Sequence, residues 1–177
     1  WYYTTYKRGH GSLDISQAIQ HSCNYYFYEI GNRIGIDTLS SYSKYFGLGR
    51  KTGIELPSEA TGNIASRDRA KEENREWYVG ETLSAAIGQS YNNVTPVQMA
   101  KYISILVNGG HQIDTTLIKS IINSDNTEVS KDEINKHVKK VLGVEDENIE
   151  EKTFKDENVK AVLEGMKNVT TESGGTA

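Results

Sequence analysis

Cysteine is the scarcest useful residue in this sequence: Cys23 is the only one. No intramolecular disulfide can form from it, and one thiol cannot build a cysteine-based zinc framework. Long apolar runs are missing as well. None approaches the roughly 18–20 residues of a membrane span, and no stretch of these residues reads as a signal peptide. Positive charge is not in excess, with 20 Lys and Arg against 24 Asp and Glu and a formal net charge of −4. Nonspecific nucleic-acid binding needs a basic footprint, so that class is set aside. The densest basic run, Lys136 to Lys140, lies among acidic neighbours and reads as a solvated helix face. Three phenylalanines stand against eleven tyrosines, which points to a core edged by amphipathic rings. Low-complexity tracts and internal repeats are absent. The sequence begins at Trp1 and ends on Ser173-Gly174-Gly175-Thr176-Ala177, so both ends read as cut from something longer.

What remains is an ordinary soluble composition, 36% hydrophobic and 25% charged over 177 residues, enough for one domain with a core. Asp14-Ile15-Ser16-Gln17 fits a capping box and predicts a short helix to about His21. After a polar corner at Ser22-Cys23-Asn24, Phe27, Ile30 and Ile34 recur at helical spacing until Gly35. Asp37 can cap the next helix, with Leu39, Tyr42, Tyr45 and Phe46 inward and Gly47 at its end. Gly53-Ile54-Glu55-Leu56-Pro57 reads as a turn and a short strand-like piece. Residues 58–76 are polar, aperiodic and densely charged, a surface loop.

Regular structure is expected again at Glu81 to Ile87, halted by Gly88. Thr95-Pro96-Val97-Gln98 is the clearest helix start: an N-cap threonine, proline at the first position and glutamine at the third. Its inward residues are expected to be Met99, Ala100, Ile103, Leu106 and Val107. Trp1 to Tyr6 and Ile113 to Ile122 read as extended, the latter as a strand. Ser130 to Glu133 opens a helix ending at Gly143, an acidic linker covers 144–156, and a last helix from about Glu157 buries Val159, Val162, Leu163 and Met166. Roughly seven helices and no alternating βαβ units make the chain predominantly α with a few short strands.

His21-Ser22-Cys23-Asn24 places an imidazole, a hydroxyl, a thiol and a carboxamide on consecutive residues. One reading is a helix–helix corner in which Ser22 and Asn24 only cap backbone groups. A metal reading is also open, since His21, Cys23, His10 and Asp14 are all ligand types that zinc accepts, although the spacing matches no standard pattern. A third reading pairs Cys23 with His21 or His10 as a thiol enzyme, but neighbours at a helix corner point apart.

The order of pieces adds a further reading. His10-Gly11, Ala18-Ile19, Ser22-Cys23-Asn24, Phe27-Tyr28, Tyr45-Phe46-Gly47-Leu48-Gly49, Thr52 to Pro57 with Glu59, Ile87-Gly88-Gln89, Val94 to Ala100, Asn108-Gly109-Gly110, Gly165-Met166 and Gly175-Thr176-Ala177 follow one another along the chain. This sequence resembles the transpeptidase domain of class B penicillin-binding proteins, and the matches span nearly all of it. The resemblance implies the helical part of the penicillin-binding-protein and serine β-lactamase α/β fold, as a partial domain over 1–177. That family works with Ser-x-x-Lys, Ser-x-Asn and Lys-Thr/Ser-Gly motifs, because serine acylation needs a nucleophile, a base within hydrogen-bond reach and donors where the oxyanion develops.

By this resemblance Ser22 is the serine of the second motif, a proton relay between lysine and leaving group. Asn24 is its asparagine, bonding the lysine and the substrate amide, and Cys23 packs as a small buried hydrophobe. The nucleophile is expected upstream of Trp1 and the third motif beyond Ala177. Two look-alikes are out of order: Ser41-Tyr42-Ser43-Lys44 follows the Ser-x-Asn, and Lys51-Thr52-Gly53 sits in a structural turn. Gln89 to Thr95 resembles a family segment in which many relatives have glycine where Ser90 stands. Trp77 and Tyr78 either rim the cleft or cover the core. The resemblance further implies peptidoglycan stem peptides ending in D-Ala-D-Ala as donors, 4→3-type crosslinks, acylation by β-lactams, and no cofactor. It also implies partners among cell-wall synthesis proteins and a place outside the cytoplasmic membrane, with an N-terminal anchor. A non-catalytic homologue that binds wall peptide or divisome proteins is the alternative. An upstream Ser-x-x-Lys separates the two, and the 177-residue piece is expected to be inactive alone.

Overall fold

The computed structural model describes residues 4–5, 7–144 and 149–176. Seven helices run through them: α1 Ile15–Gln20, α2 Asn24–Tyr45, α3 Arg67–Glu72, α4 Val79–Ala86, α5 Pro96–Val107, α6 Lys131–Leu142 and α7 Asp156–Thr171. Local sequence explains most of the starts and stops. The Asp14 carboxylate accepts from the Gln17 N–H at 2.9 Å, while Gln17 Oε1 accepts from the Asp14 N–H at 3.1 Å. This is the reciprocal box the sequence predicts. Thr95 and Gln98 form another, with Pro96 at the first turn. Ser130 caps α6 through the Glu133 N–H, and Gly143 closes it in the left-handed conformation. Gly35, at φ 77° and ψ 164°, breaks α2 into the two helices the sequence expects. Asp37, expected as the cap after that break, faces the Arg67 guanidinium at 3.5 Å.

Several expectations fail for identifiable reasons. The 58–76 segment is not loop throughout: Ser66 caps the Arg69 N–H at 3.1 Å and starts α3. Only Ala70 of that helix is buried, so it carries almost no apolar period to read. Ile113 to Ile122 forms no ladder. Among the described residues β pairing is limited to two isolated bridges, Asn63–Asn93 and Ile122–Glu128. Of Trp1 to Tyr6, only Thr4 and Thr5 are described, and their backbone is helical rather than extended. In the 144–156 linker, residues 145–148 lie outside the described residues. Phe154, by contrast, is packed against Tyr42, Tyr45 and Phe46.

Two glycines allow the helices to approach closely. α1 lies on α7 and α2 on α4. A Cβ on Gly165 would stand 2.9 Å from both Ile19 Cβ and the Ser16 carbonyl, and one on Gly31 only 2.4 Å from Ala86 Cβ. Ser16 Oγ also donates to the Ala161 carbonyl at 2.7 Å, which fixes α1 along α7. The core consists of Ala18, Ile36, Tyr45, Ala65, Ala70, Ile105, Leu106, Ile134 and Val159, with Cys23 at its edge.

α5 turns a partly different face inward from the one expected: Leu106 is buried as expected, but Met99, Ala100 and Val107 are exposed. Gln98, Lys101, Ile105 and Leu106 are buried, whereas Met99 is 41% and Val107 59% exposed. The cause is polar. Gln98 Nε2 donates to the carbonyls of Arg50 at 2.6 Å and Thr61 at 2.8 Å, and these bonds aim the 98/101/105 stripe at the 50–61 segment. Fully buried amides are retained where every polar atom has a partner, and here Gln98 Oε1 also accepts from the Thr95 N–H.

Candidate functional site

The polar corner is built by the way α1 ends. The Ser22 N–H bonds the Ile19 carbonyl at 3.0 Å and the Cys23 N–H the Ala18 carbonyl at 2.9 Å. These are the paired bonds of a Schellman motif, whose C′ residue must be left-handed. Ser22 occupies C′ with φ 47°. That position usually holds glycine, because a Cβ there crowds the following carbonyl. The next residue, Cys23, is 8% exposed and is the N-cap of α2. Asn24 is exposed on the first turn of α2. Burial of the thiol therefore leaves the hydroxyl before it and the carboxamide after it facing solvent.

A second segment meets this corner. Gln20 Nε2 donates to the Ser173 carbonyl at 3.1 Å, His21 Nδ1 lies 2.9 Å from the Gly174 carbonyl, and Ser22 Oγ is 2.6 Å from Thr176 Oγ1. A carbonyl only accepts, so Nδ1 carries the proton in the His21 contact. The His10 ring stacks on His21 with centroids 5.6 Å apart. Burial, and then the neighbouring His21, hold the His10 imidazole below its ordinary value. Sequence reasoning missed Gln20 and the pairing with 173–176. The contacts bridge about 150 residues of chain, and the sequence singled out that segment only as the Gly175-Thr176-Ala177 piece of the motif order.

The residues of the metal reading do not converge as a set: His10 and His21 stack on each other, but the other two stand apart. Asp14 is committed to its capping box, Cys23 is buried and His21 turns toward Gly174. Among the described residues no group of three or more His, Cys, Asp or Glu stands where it could hold a metal ion.

The two look-alike motifs are structural. Ser43 Oγ donates to the Leu39 carbonyl within its own helix, and Ser41 Oγ reaches Glu150 at 3.5 Å. Thr52 is buried, and both its N–H and its hydroxyl donate to Glu59 Oε1 at 2.7 Å, with the Gly53 N–H on Oε2. Glu59 thus folds the 52–59 turn around its carboxylate. Ser90 holds φ 66°, which accounts for glycine being the easier residue there. Asn92 ties this segment down by accepting from the Ala65 N–H and donating to the Ala85 carbonyl. Trp77 is half-buried with its indole N–H on Thr82 Oγ1, while Tyr78 is 63% exposed.

The family of the chain follows from comparison over its length. Over residues 1–177 the chain matches the family described as the penicillin binding protein transpeptidase domain, and it belongs to that family. Its similarities place it with the class B members. It is 44% identical over 116 residues to the peptidoglycan D,D-transpeptidase MrdA of Haemophilus influenzae, covering 65% of this chain and 18% of the relative. The solved structure of Pseudomonas aeruginosa PBP2 in complex with WCK 5153 superposes with a TM-score of 0.74 at 32% identity, over 93% of this chain and 34% of that one. PBP2 of Helicobacter pylori, solved in complex with MreC, gives 0.68 at 27% identity over 97% and 28%. The matched stretch thus spans less than a fifth of the length of the MrdA relative. The predominantly helical architecture is the one expected for this part of the transpeptidase fold.

Proposed function

We propose that this chain supplies the Ser-x-Asn side of the acylation site in a peptidoglycan D,D-transpeptidase. The observation that carries the reading is Ser22 held left-handed at the end of α1, its hydroxyl outside and Cys23 inside. A serine held there rather than glycine is an outlier from which a task for the hydroxyl is inferred. Lys7, Ser58, Asn74, Ser90 and Asn126 also have positive φ, so the exposed Asn24 two residues on is what singles out Ser22.

In this reading the nucleophile is a serine of a Ser-x-x-Lys motif in the full-length protein. Its Oγ attacks the carbonyl of the penultimate D-Ala of a stem peptide. The C–N bond to the terminal D-Ala breaks, and an acyl-serine forms. The proton leaving the nucleophile passes by way of the motif lysine and the Ser22 hydroxyl to the departing amine. Ser22 suits that relay because one hydroxyl both donates and accepts. The Asn24 carboxamide offers its oxygen to the lysine ammonium and its N–H groups to the substrate amide. An acceptor stem-peptide amine then takes the acyl group and closes the crosslink. A β-lactam enters the same path through its ring amide, but the leaving nitrogen stays tethered and the acyl-serine persists.

The setting follows the relatives. A solved PBP2 neighbour is in complex with MreC, which supports cell-wall synthesis proteins as partners and a site on the outer face of the cytoplasmic membrane. Among the described residues no helix is long and apolar enough to cross a membrane, so anchoring is assigned to the full-length protein. The test is labelling of full-length protein with fluorescent penicillin. Ser22→Ala and Asn24→Ala are each expected to slow acylation by about a hundredfold, the scale of a lost proton-transfer partner. Labelling at the wild-type rate by both variants would overturn the reading.

A further inference from the structure

Gln20, His21 and Ser22 are consecutive, and each side chain reaches one residue of 173–176. Nothing about helix geometry demands this: successive residues at the end of a helix ordinarily diverge, and here all three reach the same neighbouring segment. The receiving segment is shaped to match. Gly174 has φ 80°, and a Cβ there would stand 3.0 Å from His21 Cε1. A Cβ on Gly175 would stand 2.3 Å from the Val169 carbonyl. Both glycines are therefore set by close approach, Gly174 to the imidazole and Gly175 to the end of α7.

A Gly-Gly pair is the most conformationally free dipeptide in a chain. The Gly175 N–H closes the turn on the Glu172 carbonyl at 3.0 Å, and the bonds from Gln20 and His21 are what tie that turn to the end of α1. We propose that Gln20 and His21 are positioning residues: they clasp the Gly174-Gly175 turn so that the Thr176 hydroxyl is delivered to Ser22. This inference rests on the reading of Ser22 as the relay serine. Within it, Thr176 takes one of the hydrogen-bonding positions of the Ser22 hydroxyl. That fixes the rotamer of Ser22 and leaves its remaining positions for the lysine and the leaving amine. His21 serves as the central rung through its Nδ1–H, with the ring stacked on His10.

The experiment uses full-length protein carrying His21→Phe, His21→Asn, Thr176→Val or Ser22→Ala. Three readouts are taken: the rate of acylation by fluorescent penicillin, the thermal midpoint, and amide hydrogen exchange across 172–176. His21→Phe keeps a ring but loses the donor, whereas His21→Asn restores an N–H near the Nδ1 position. His21→Phe and Thr176→Val are each expected to slow acylation by about tenfold, a misplacement effect, with the thermal midpoint unchanged. His21→Phe is expected to speed exchange at 172–176, and His21→Asn to recover both rate and protection. Wild-type acylation and exchange in His21→Phe and Thr176→Val, with Ser22→Ala slow, would overturn the clasp and leave the relay reading standing. Wild-type acylation in Ser22→Ala would overturn the relay reading itself. The exchange measurement then judges the clasp separately, with unchanged protection in His21→Phe rejecting it. Should His21→Phe fail to fold, Thr176→Val with its exchange profile decides the matter.

Discussion

In the proposed reading, Ser22 sets a stability preference against a functional one on a single backbone angle. At φ 47° an L-residue is strained by about 1 kcal/mol, and glycine is not. Ser22→Ala and Ser22→Gly both delete the hydroxyl and its contact with Thr176, so comparing them isolates the backbone. Ser22→Gly is expected to be the more stable of the two by about 1 kcal/mol in denaturant unfolding, since the C′ position of a Schellman motif favours glycine. Neither is expected to acylate at the wild-type rate. If Ser22→Ala proved as stable as Ser22→Gly, the corner would not be strained, and the argument that Ser22 is kept for its hydroxyl would lose its support. The proposal that Ser22 and Asn24 form the Ser-x-Asn pair rests on the order of motifs along the chain, and the penicillin-labelling variants test it. The strain was not legible there, because serine at a glycine position gives no local signal.

Helix α5 marks the boundary of what sequence reading reaches at the level of elements. Its start was legible because Thr95, Pro96 and Gln98 act within one turn of each other. Its inward face was not, because that face is chosen by the carbonyls of Arg50 and Thr61 on a distant segment, and they select glutamine and lysine over methionine and valine. Lys101 is the costly member of this face. It is 9% exposed, with Nζ 3.4 Å from the Thr52 carbonyl. Burial, and then the Arg50 charge, lower its pKa, against weaker opposition from Asp114 and Glu59.

A lysine whose folded pKa lies below its unfolded value of about 10.5 costs stability wherever both states are protonated. The cost is relieved as pH rises through the folded value toward the unfolded one. Lys101→Met keeps the stem and removes the charge. It is expected to match or exceed the wild type by about 1 kcal/mol near neutrality, as buried charges replaced by apolar groups of similar shape often do. The gap should narrow as the pH of urea titrations is raised toward 10.5. A gap that widens with pH would mean that Lys101 is stabilised as an ammonium.

At the scale of the molecule, secondary structure and family membership were legible because they rest on local capping and on motif order. Packing was legible only in part, because the chain leaves much apolar surface open. Its accessible surface is 12107 Å² at 19.8 kDa, whereas a monomeric protein of that mass exposes about 8,600 Å². The excess, about 3,500 Å², is the size of a permanent interface. Large side chains lie on it, among them Tyr25 at 80%, Val141 at 67% and Val79 at 66% exposed, with Ile30 and Ile34 on one face of α2. Residues read as inward from their period, such as Met99 and Val107, are therefore apolar without being covered in this chain. Surfaces of that size drive association, and a net charge of −4 is modest opposition. The 177-residue chain on its own is expected to sediment as concentration-dependent oligomers and to enhance the fluorescence of a hydrophobic dye. It is also expected to take up no fluorescent penicillin, because no Ser-x-x-Lys precedes Ser22 within it. A monodisperse, dye-silent monomer would show that these faces pack on themselves in solution. Covalent labelling at Ser41 or Ser43 would show that the Ser-x-x-Lys look-alike on α2 is a nucleophile after all.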